Sequence, residues 1–591
     1  MIRIAAVLLA LSTTSALAAE ASWIEQSNRY AQVLLEVNAR YNPEFAATVG
    51  VEGHDTEIID LKPRFSERQE ADLEAAARKL ESMRESVTDE RVRQDVELLI
   101  QSARDQKRSL ELNRQLMLPF FDLAQFVYRG FQDLLDARVS KERHKAALVR
   151  LKRYIGAEPG YEPITVLARA RYEERAHDPK LIGPWKVEAE QFLDNQPRYL
   201  DGIEEILKGS GLDGWQKDLA VLRRQFDEYA EWTRQTVLPR ARASNRLPPE
   251  LYADNLKRFG VYMDPRELMD RALASYIQTR SELEPLARRV AEQRGWKLSD
   301  YRDVIRELKK ERIPEEQLLD FYTKRLRQIE DIIRREHVVT LPERDAVIRL
   351  ATEAESAASP APHIDPPRLI GNTGQPAEFV LPTSNPNAAP GSVMDDFTYD
   401  AIAWTLTAHE ARPGHELQFA SILERGVSIA RVVYAFNSAN VEGWALYAEA
   451  VMKKYLPPEG QIGALQMRMM REARAFLDPM LNLGLIEPEE AKRFLMEEVV
   501  LSEPMAKQEV DRYTFISPGQ ATSYFYGFSR LNALRTRVEL AQPGRFDEQR
   551  YHDFLIGQGL LPFDLLERAV MEKYLKAGGA PSESSRASGI G

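Results

Sequence analysis

The chain has 591 residues, 44% of them hydrophobic and 29% charged, with no cysteine and a formal net charge of −11. A chain of this length can bury a core without disulfides, and it has no thiol with which to form one. The acidic balance, with Lys and Arg interleaved among Asp and Glu, excludes the basic footprint that nucleic acid demands.

Met1-Ile2-Arg3, the apolar run Ile4–Leu11 and the small-x-small site Ala16-Leu17-Ala18 read as a secretory signal peptide over residues 1–18. With no cysteine to carry a lipid, the expected address is periplasmic or secreted. No later run approaches the roughly 18 uninterrupted apolar residues of a membrane span, so no membrane insertion is expected. Residues 19–337 read as an N-terminal lobe of successive amphipathic helices, among them Trp23–Arg40, Thr88–Leu118, Pro265–Arg294 and Pro314–His337. Ser66-Glu67-Arg68-Gln69 has the form of a capping box opening a charged helix through Glu85. Pro265 at the start of its helix and Gly295 past the end show the usual asymmetry.

Residues 338–576 read as a second, catalytic lobe. Short strands are expected at Val338–Pro342, Ala346–Leu350 and Ala377–Leu381, between Pro-, Gly- and Asn-rich loops. Helices follow at Thr398–Arg412, Leu417–Glu424, Val441–Lys454, Ile462–Leu483, Pro488–Leu501, Ala521–Leu540 and Asp564–Lys576. The remainder, 577–591, is rich in Gly, Ser and Ala and reads as a disordered tail. The fold class is therefore mainly α and multi-helical, two-lobed, with a small β-sheet beside the helix that ends near Arg412.

That helix carries His409-Glu410-Ala411-Arg412-Pro413-Gly414-His415, which holds two of the chain's eight histidines. A helical His-Glu-x-x-His binds zinc through both imidazoles and uses the Glu as general base. Here the second His is two residues further on, roughly 240° round a straight helix, so the imidazoles would diverge. Pro413 removes the hydrogen bond that would close on the carbonyl of His409, and Gly414 allows a sharp turn; together they can swing His415 back. A third ligand is sought in Glu442-Gly443-Trp444-Ala445-Leu446-Tyr447-Ala448-Glu449, where the two acids lie about two turns apart on one face. Glu442, near the helix start, is the favoured ligand, and Glu449 the residue that orients one.

HEARPGHELQ, EGWALYAE, EVDRY and PGQATSYFYG, in that order, resemble the bacterial domain-of-unknown-function 885 family. The likeness is dense from Asp396 to Leu534. The family is grouped with zincin-like metallopeptidases, so the resemblance implies a zincin-like fold and peptide or amide hydrolysis. It implies His409, His415 and Glu442 as zinc ligands, Glu410 as general base and Tyr524 as oxyanion donor, with Tyr526 in reserve. Asn482 stands where family members commonly carry a His four residues after an Asp, here Asp478. In such folds an edge strand can pair with extended substrate, and Glu378–Pro382 is the expected edge.

Other residues complete the expected site. Arg512 can clamp a substrate carboxylate bidentately or pair with Asp511 or Glu509. Tyr513 and Tyr526 are further candidates for substrate contact. Asp478 is expected to orient a ligand imidazole, Gln418 to bond near the motif helix, and Arg412 to support the ligands or face water. The leading reading is a Zn2+-dependent peptidase acting on short peptides. Its alternatives are a noncatalytic helical binding protein with a structural metal site, and an amidase acting on non-peptide amides such as cell-wall fragments.

Overall fold

The computed structural model describes residues 23–577 apart from 384, 387 and 390. The expected signal peptide, and the tail beyond 577, lie outside the described residues. The protein is mainly helical, and its helix ends follow local chemistry. Asp264 accepts the N–H groups of Arg266 and Glu267 and starts Pro265–Gln293, and Gly295 turns the chain beyond it at φ +71°. Asp89 and Asp122 cap Glu90–Leu116 and Leu123–Leu135 in the same way. The expected capping box at Ser66 is not made. The helix Phe65–Arg84 starts two residues earlier than a Ser66 cap would set it, after Arg64, with Phe65 in ring contact with Phe121 and Arg68 clasping Asp60.

The sheet has three strands, β1 (Val347–Leu350), β2 (His363–Asp365) and β3 (Glu378–Leu381), in the order β1-β3-β2. β1 runs parallel to β3 and β2 antiparallel to it, with Ile348 and Ile364 both opposite Phe379. The expected edge strand is thus the central one. Phe379, Val380 and Leu381 are fully buried, as a strand covered on both faces requires, and each contributes about 1.5–3 kcal/mol by burial. The free edges belong to β1 and β2. The strand expected at Val338–Pro342 is instead a connector: Val338 and Val339 are buried in the core, and the Val338 carbonyl accepts a hydrogen bond from His552.

Among the described residues, three hydrophobic clusters form the core. One joins residues 23–103 to Ile429 and Ala430, and a second lies within 58–237 and reaches Ala354 and Ala357. The largest runs from Tyr252 to Tyr574, so Pro265–Gln293 and Glu315–Glu336 share a core with the motif helices. Pro265–Gln293 lies along Pro458–Asn482, which in turn packs on Asp400–Glu410. Tyr322 donates to the carbonyl of Phe397 (2.6 Å), and Lys309 binds Asp395 and Asp396 (2.8 and 2.7 Å), fixing the chain just before Asp400–Glu410. Among the described residues no helix is long and apolar enough to cross a membrane.

Candidate metal centre

Asp400–Glu410 ends at Glu410, and a new helix, His415–Arg425, begins after a four-residue break in which the Arg412–Pro413 peptide is cis. A Cβ on Gly414 would collide with the carbonyl oxygens of His409 and Ala408, so only glycine fits. The Trp444 indole N–H binds the carbonyls of Pro413 (3.0 Å) and Gly414 (3.3 Å) and pins the break. Arg412 neither faces water nor touches the imidazoles. It is buried between Glu416 (2.7 Å), Glu330 (2.6 Å) and the carbonyl of Arg344 (2.5 Å), an anchor for the turn. The break brings the His409 and His415 rings to 4.8 Å between centroids at 84°.

Glu442, from the helix Ser438–Lys453, places Oε2 3.2 Å from His415 Nε2 and 3.6 Å from His409 Nε2. Two atoms each about 2.0–2.1 Å from a tetrahedral ion lie about 3.4 Å apart, so these separations suit ligands of one ion. Glu442 Oε2 and His415 Nδ1 are buried with no hydrogen-bond partner, a costly state that a cation facing the first of them would relieve. The donor set, two imidazoles and a carboxylate without thiolate, is that of a catalytic zinc site and leaves a position open. The residues present therefore fit such an ion. His409, Glu410 and His415 also converge, all within 4.8 Å. Glu410 approaches His409 Nε2 only to 3.9 Å, so Glu442 is the better third ligand.

Glu449 holds the far side of His409, its Oε1 2.7 Å from Nδ1, while Thr405 (2.5 Å) and Arg471 (3.4 Å) hold Glu449. That contact fixes the ring and turns Nε2 toward Glu442. Glu449 is thus placed to orient the His409 ring, on the side away from Glu442. Burial pushes Glu410 up to about 7, with His415 opposing and Glu442 adding to the rise. Burial would push Glu442 up as well, but the two imidazoles beside it hold it well below the carboxylate range.

The other motifs explain how these helices meet. A Cβ on Gly443 would lie 2.6 Å from Gly527 Cα, and one on Gly527 would strike the carbonyl of Ala439. Ser438–Lys453 and Ser523–Ala541 therefore cross backbone to backbone, which sets Glu442 and Tyr524 on the same cluster. The Tyr524 ring lies parallel to the His409 ring at 6.2 Å, and its hydroxyl accepts from Arg512 (3.3 Å). Gln520 was not foreseen. Its amide donates to Ser438 (2.9 Å) and reaches Glu442 Oε1 at 3.4 Å, steadying the carboxylate from the Pro518-Gly519-Gln520 loop. The signal was the loop motif itself.

Asp478 does not orient an imidazole. It accepts the Gly519 N–H at both oxygens (3.0 and 2.9 Å), the Tyr252 hydroxyl (2.9 Å) and the Asn482 amide (3.2 Å), and so holds the Gln520 loop. Tyr513 is fully buried with its hydroxyl on Glu509 (2.6 Å), and Tyr526 is buried against Phe563 with its hydroxyl on Arg530 (2.8 Å). Neither is brought to the cluster. Arg512 reaches it through Tyr524, and Gln418 bonds Asn440 (3.1 Å) in the helix of Glu442. His552 is a core residue between Tyr447 (2.8 Å) and Val338 (2.7 Å).

The fold and cluster define a helical protein with a buried two-histidine, two-carboxylate centre. The chain belongs to the family described as bacterial protein of unknown function (DUF885), which it matches over residues 43–570. No curated protein matches it. Solved structures that share the fold include two described as lipoproteins. A "putative lipoprotein" from Colwellia psychrerythraea is similar at 18% identity and a TM-score of 0.75, over 94% of this chain and 100% of that one. Another so described, of unknown function, from Shewanella oneidensis is similar at 18% identity and 0.68, over 92% and 99%.

Proposed function

We propose that the protein is a zinc-dependent hydrolase of zincin-like type that cleaves short peptides. The observation that carries this reading is the convergence of His409 Nε2 and His415 Nε2 on the unpartnered Oε2 of Glu442, with the Glu410 carboxyl alongside. His409, His415 and Glu442 would hold the ion, which when bound supplies Lewis acidity toward a carbonyl and toward water. Glu410 acts as general base. Its buried carboxyl, pushed up to about 7, takes a proton from the attacking water as the new C–O bond forms. The same carboxyl then gives that proton to the amide nitrogen as the C–N bond breaks, so acid and amine leave neutral overall. Tyr524 can donate to the oxyanion, since the hydrogen bond it accepts from Arg512 leaves its own proton free.

An extended substrate would pair with the free edge of β1 or β2, since β3 is already paired on both sides. An exported location accords with the leader-like start of the sequence and with relatives described as lipoproteins. The test is turnover of a panel of di- and tripeptides, free, N-acylated and C-amidated, with zinc added and then chelated. Hydrolysis that stops on chelation and falls at least about a hundredfold in Glu410→Gln supports the reading. Near-normal turnover in Glu410→Gln, or no hydrolysis of any member, removes it.

A further inference from the structure

A cavity of about 620 Å³, the size of a small-ligand site, lies between the helix Leu123–Leu135 and the outer side of β2. It adjoins the elements of the candidate metal centre. Phe419, one turn beyond His415 on the same helix, and Phe436, just before the helix of Glu442, are in its wall. Much of the lining is apolar, yet it includes charged groups of both signs.

Most of those charges are neutralised within the wall. Arg138 pairs with Asp136 (2.8 Å) and Asp365, and Arg349 with Glu355 (2.8 Å). Four groups are not. Arg129 and Arg368 have no hydrogen-bond or ion-pair partner for their guanidinium groups among the described residues. Asp133 accepts only the Thr48 hydroxyl (2.6 Å) and has no cation within ion-pair distance, although Arg129 stands one turn before it. Glu44, 5% exposed, binds Tyr154 (2.7 Å) and the Ile59 N–H (3.0 Å) through Oε1, while its buried Oε2 has no donor. Burial pushes Asp133 up to about 6 and Glu44 upward, more than the nearby Arg129 and Arg150 respectively offset, and neither carboxyl has an arginine or lysine in direct contact. Two unpaired cations and two under-satisfied acids in one otherwise balanced, half-apolar cavity call for a ligand bearing both charges.

We propose that this cavity binds a small zwitterion, an amino acid or a short peptide with both ends free, its ammonium on Asp133 and Glu44 and its carboxylate on Arg368 and Arg129. As a binding site it stands apart from the hydrolase reading; as a statement of substrate class it rests on that reading. The apolar wall that includes Phe419 and Phe436 would take the side chains.

The test is calorimetric binding of alanine, dialanine and trialanine to the full chain carrying Glu410→Gln, which suppresses turnover. N-acetyl and C-amide forms of each peptide are compared with the free form. Capping either end is expected to weaken binding about tenfold or more. Arg368→Gln should abolish the discrimination against the amide, and Asp133→Asn the discrimination against the acetyl group. Arg368, part-exposed in the wall, carries the test alone if Asp133→Asn fails to fold by circular dichroism. Equal binding of free and capped forms, no binding of any, or unchanged discrimination in Arg368→Gln overturns the proposal. Hydrolysis by the wild type that ignores capping would overturn it and leave the hydrolase reading intact. End-selective binding with no hydrolysis would do the reverse.

Discussion

Two layers of buried charge lie within the same helices and are finished differently. In the front layer, around His409, His415 and Glu442, polar atoms converge with some left unpartnered. In the back layer, Glu509 takes a bidentate pair from Arg474 (2.6 and 2.7 Å) and the hydroxyl of Tyr513, and Asp478 is closed by Gly519, Tyr252 and Asn482. The back layer keeps open atoms of its own, Arg474 Nη1 and Asn482 Oδ1, but its carboxylates are closed, whereas Glu442 leaves Oε2 open beside two imidazoles. Burying an incompletely satisfied carboxylate is expensive, and that contrast separates a site from its scaffold. The back layer should answer to stability, the front layer to metal and turnover.

The largest effect expected from this contrast is in the back layer. Glu509→Gln leaves the Arg474 guanidinium buried without its counter-charge, a loss of about 3–5 kcal/mol of stability by chemical denaturation. Zinc content in the protein that still folds should be unchanged. A loss below about 1 kcal/mol would mean that the pair is not the anchor its geometry implies. The same pair sets an acid dependence. Burial would raise Glu509, but Arg474, with Arg512 and Tyr513, holds it at about 2, below its unfolded value near 4.3. The stability it contributes is complete above about pH 5 and is lost as pH falls through that range toward 2. Glu509→Gln should therefore flatten the acid limb of the stability profile; an identical limb would break the assignment.

Glu449→Gln tests the join between the layers. Removing the charge behind His409 Nδ1 should weaken zinc binding by about 10–100-fold while leaving the fold in place. Unchanged affinity in a competition titration would show that a neutral amide behind Nδ1 and the helix suffice to orient the ring. The smallest effect is Tyr513→Phe, which removes one hydrogen bond to Glu509 and should cost about 1 kcal/mol with no change in kcat. A selective fall in kcat would return Tyr513 to the site.

The front layer was legible because its partners are close in sequence or share a motif. The misfit of six residues between His409 and His415 announced the break, and Pro413 with Gly414 supplied it. Glu442 and Glu449, seven residues apart, take different places: Glu442 Oε2 faces both Nε2 atoms, and Glu449 holds Nδ1 of His409 from behind. The back layer was not legible: Asp478 meets Gly519 across 41 positions and Arg474 meets Glu509 across 35, much as His409 meets Glu449 across 40, but no metal-ligand pattern marks those residues as partners. Spacing alone held some of what was missed. Tyr524 and Tyr526 are about 200° apart on their helix and could not both face one cluster. The unbroken apolar run Phe379-Val380-Leu381 belongs to a central strand rather than an edge. β2, three residues with a polar one at either end, carries too little pattern to be read.

If His409, His415 and Glu442 hold a metal ion while Glu410 acts without holding it, zinc per chain after dialysis separates the wild type and Glu410→Gln from Glu442→Gln. About one zinc is expected in the first two, and loss of most of it in the third. A wild type that retains no zinc, or a Glu442→Gln protein that retains it as fully as the wild type, would contradict that assignment.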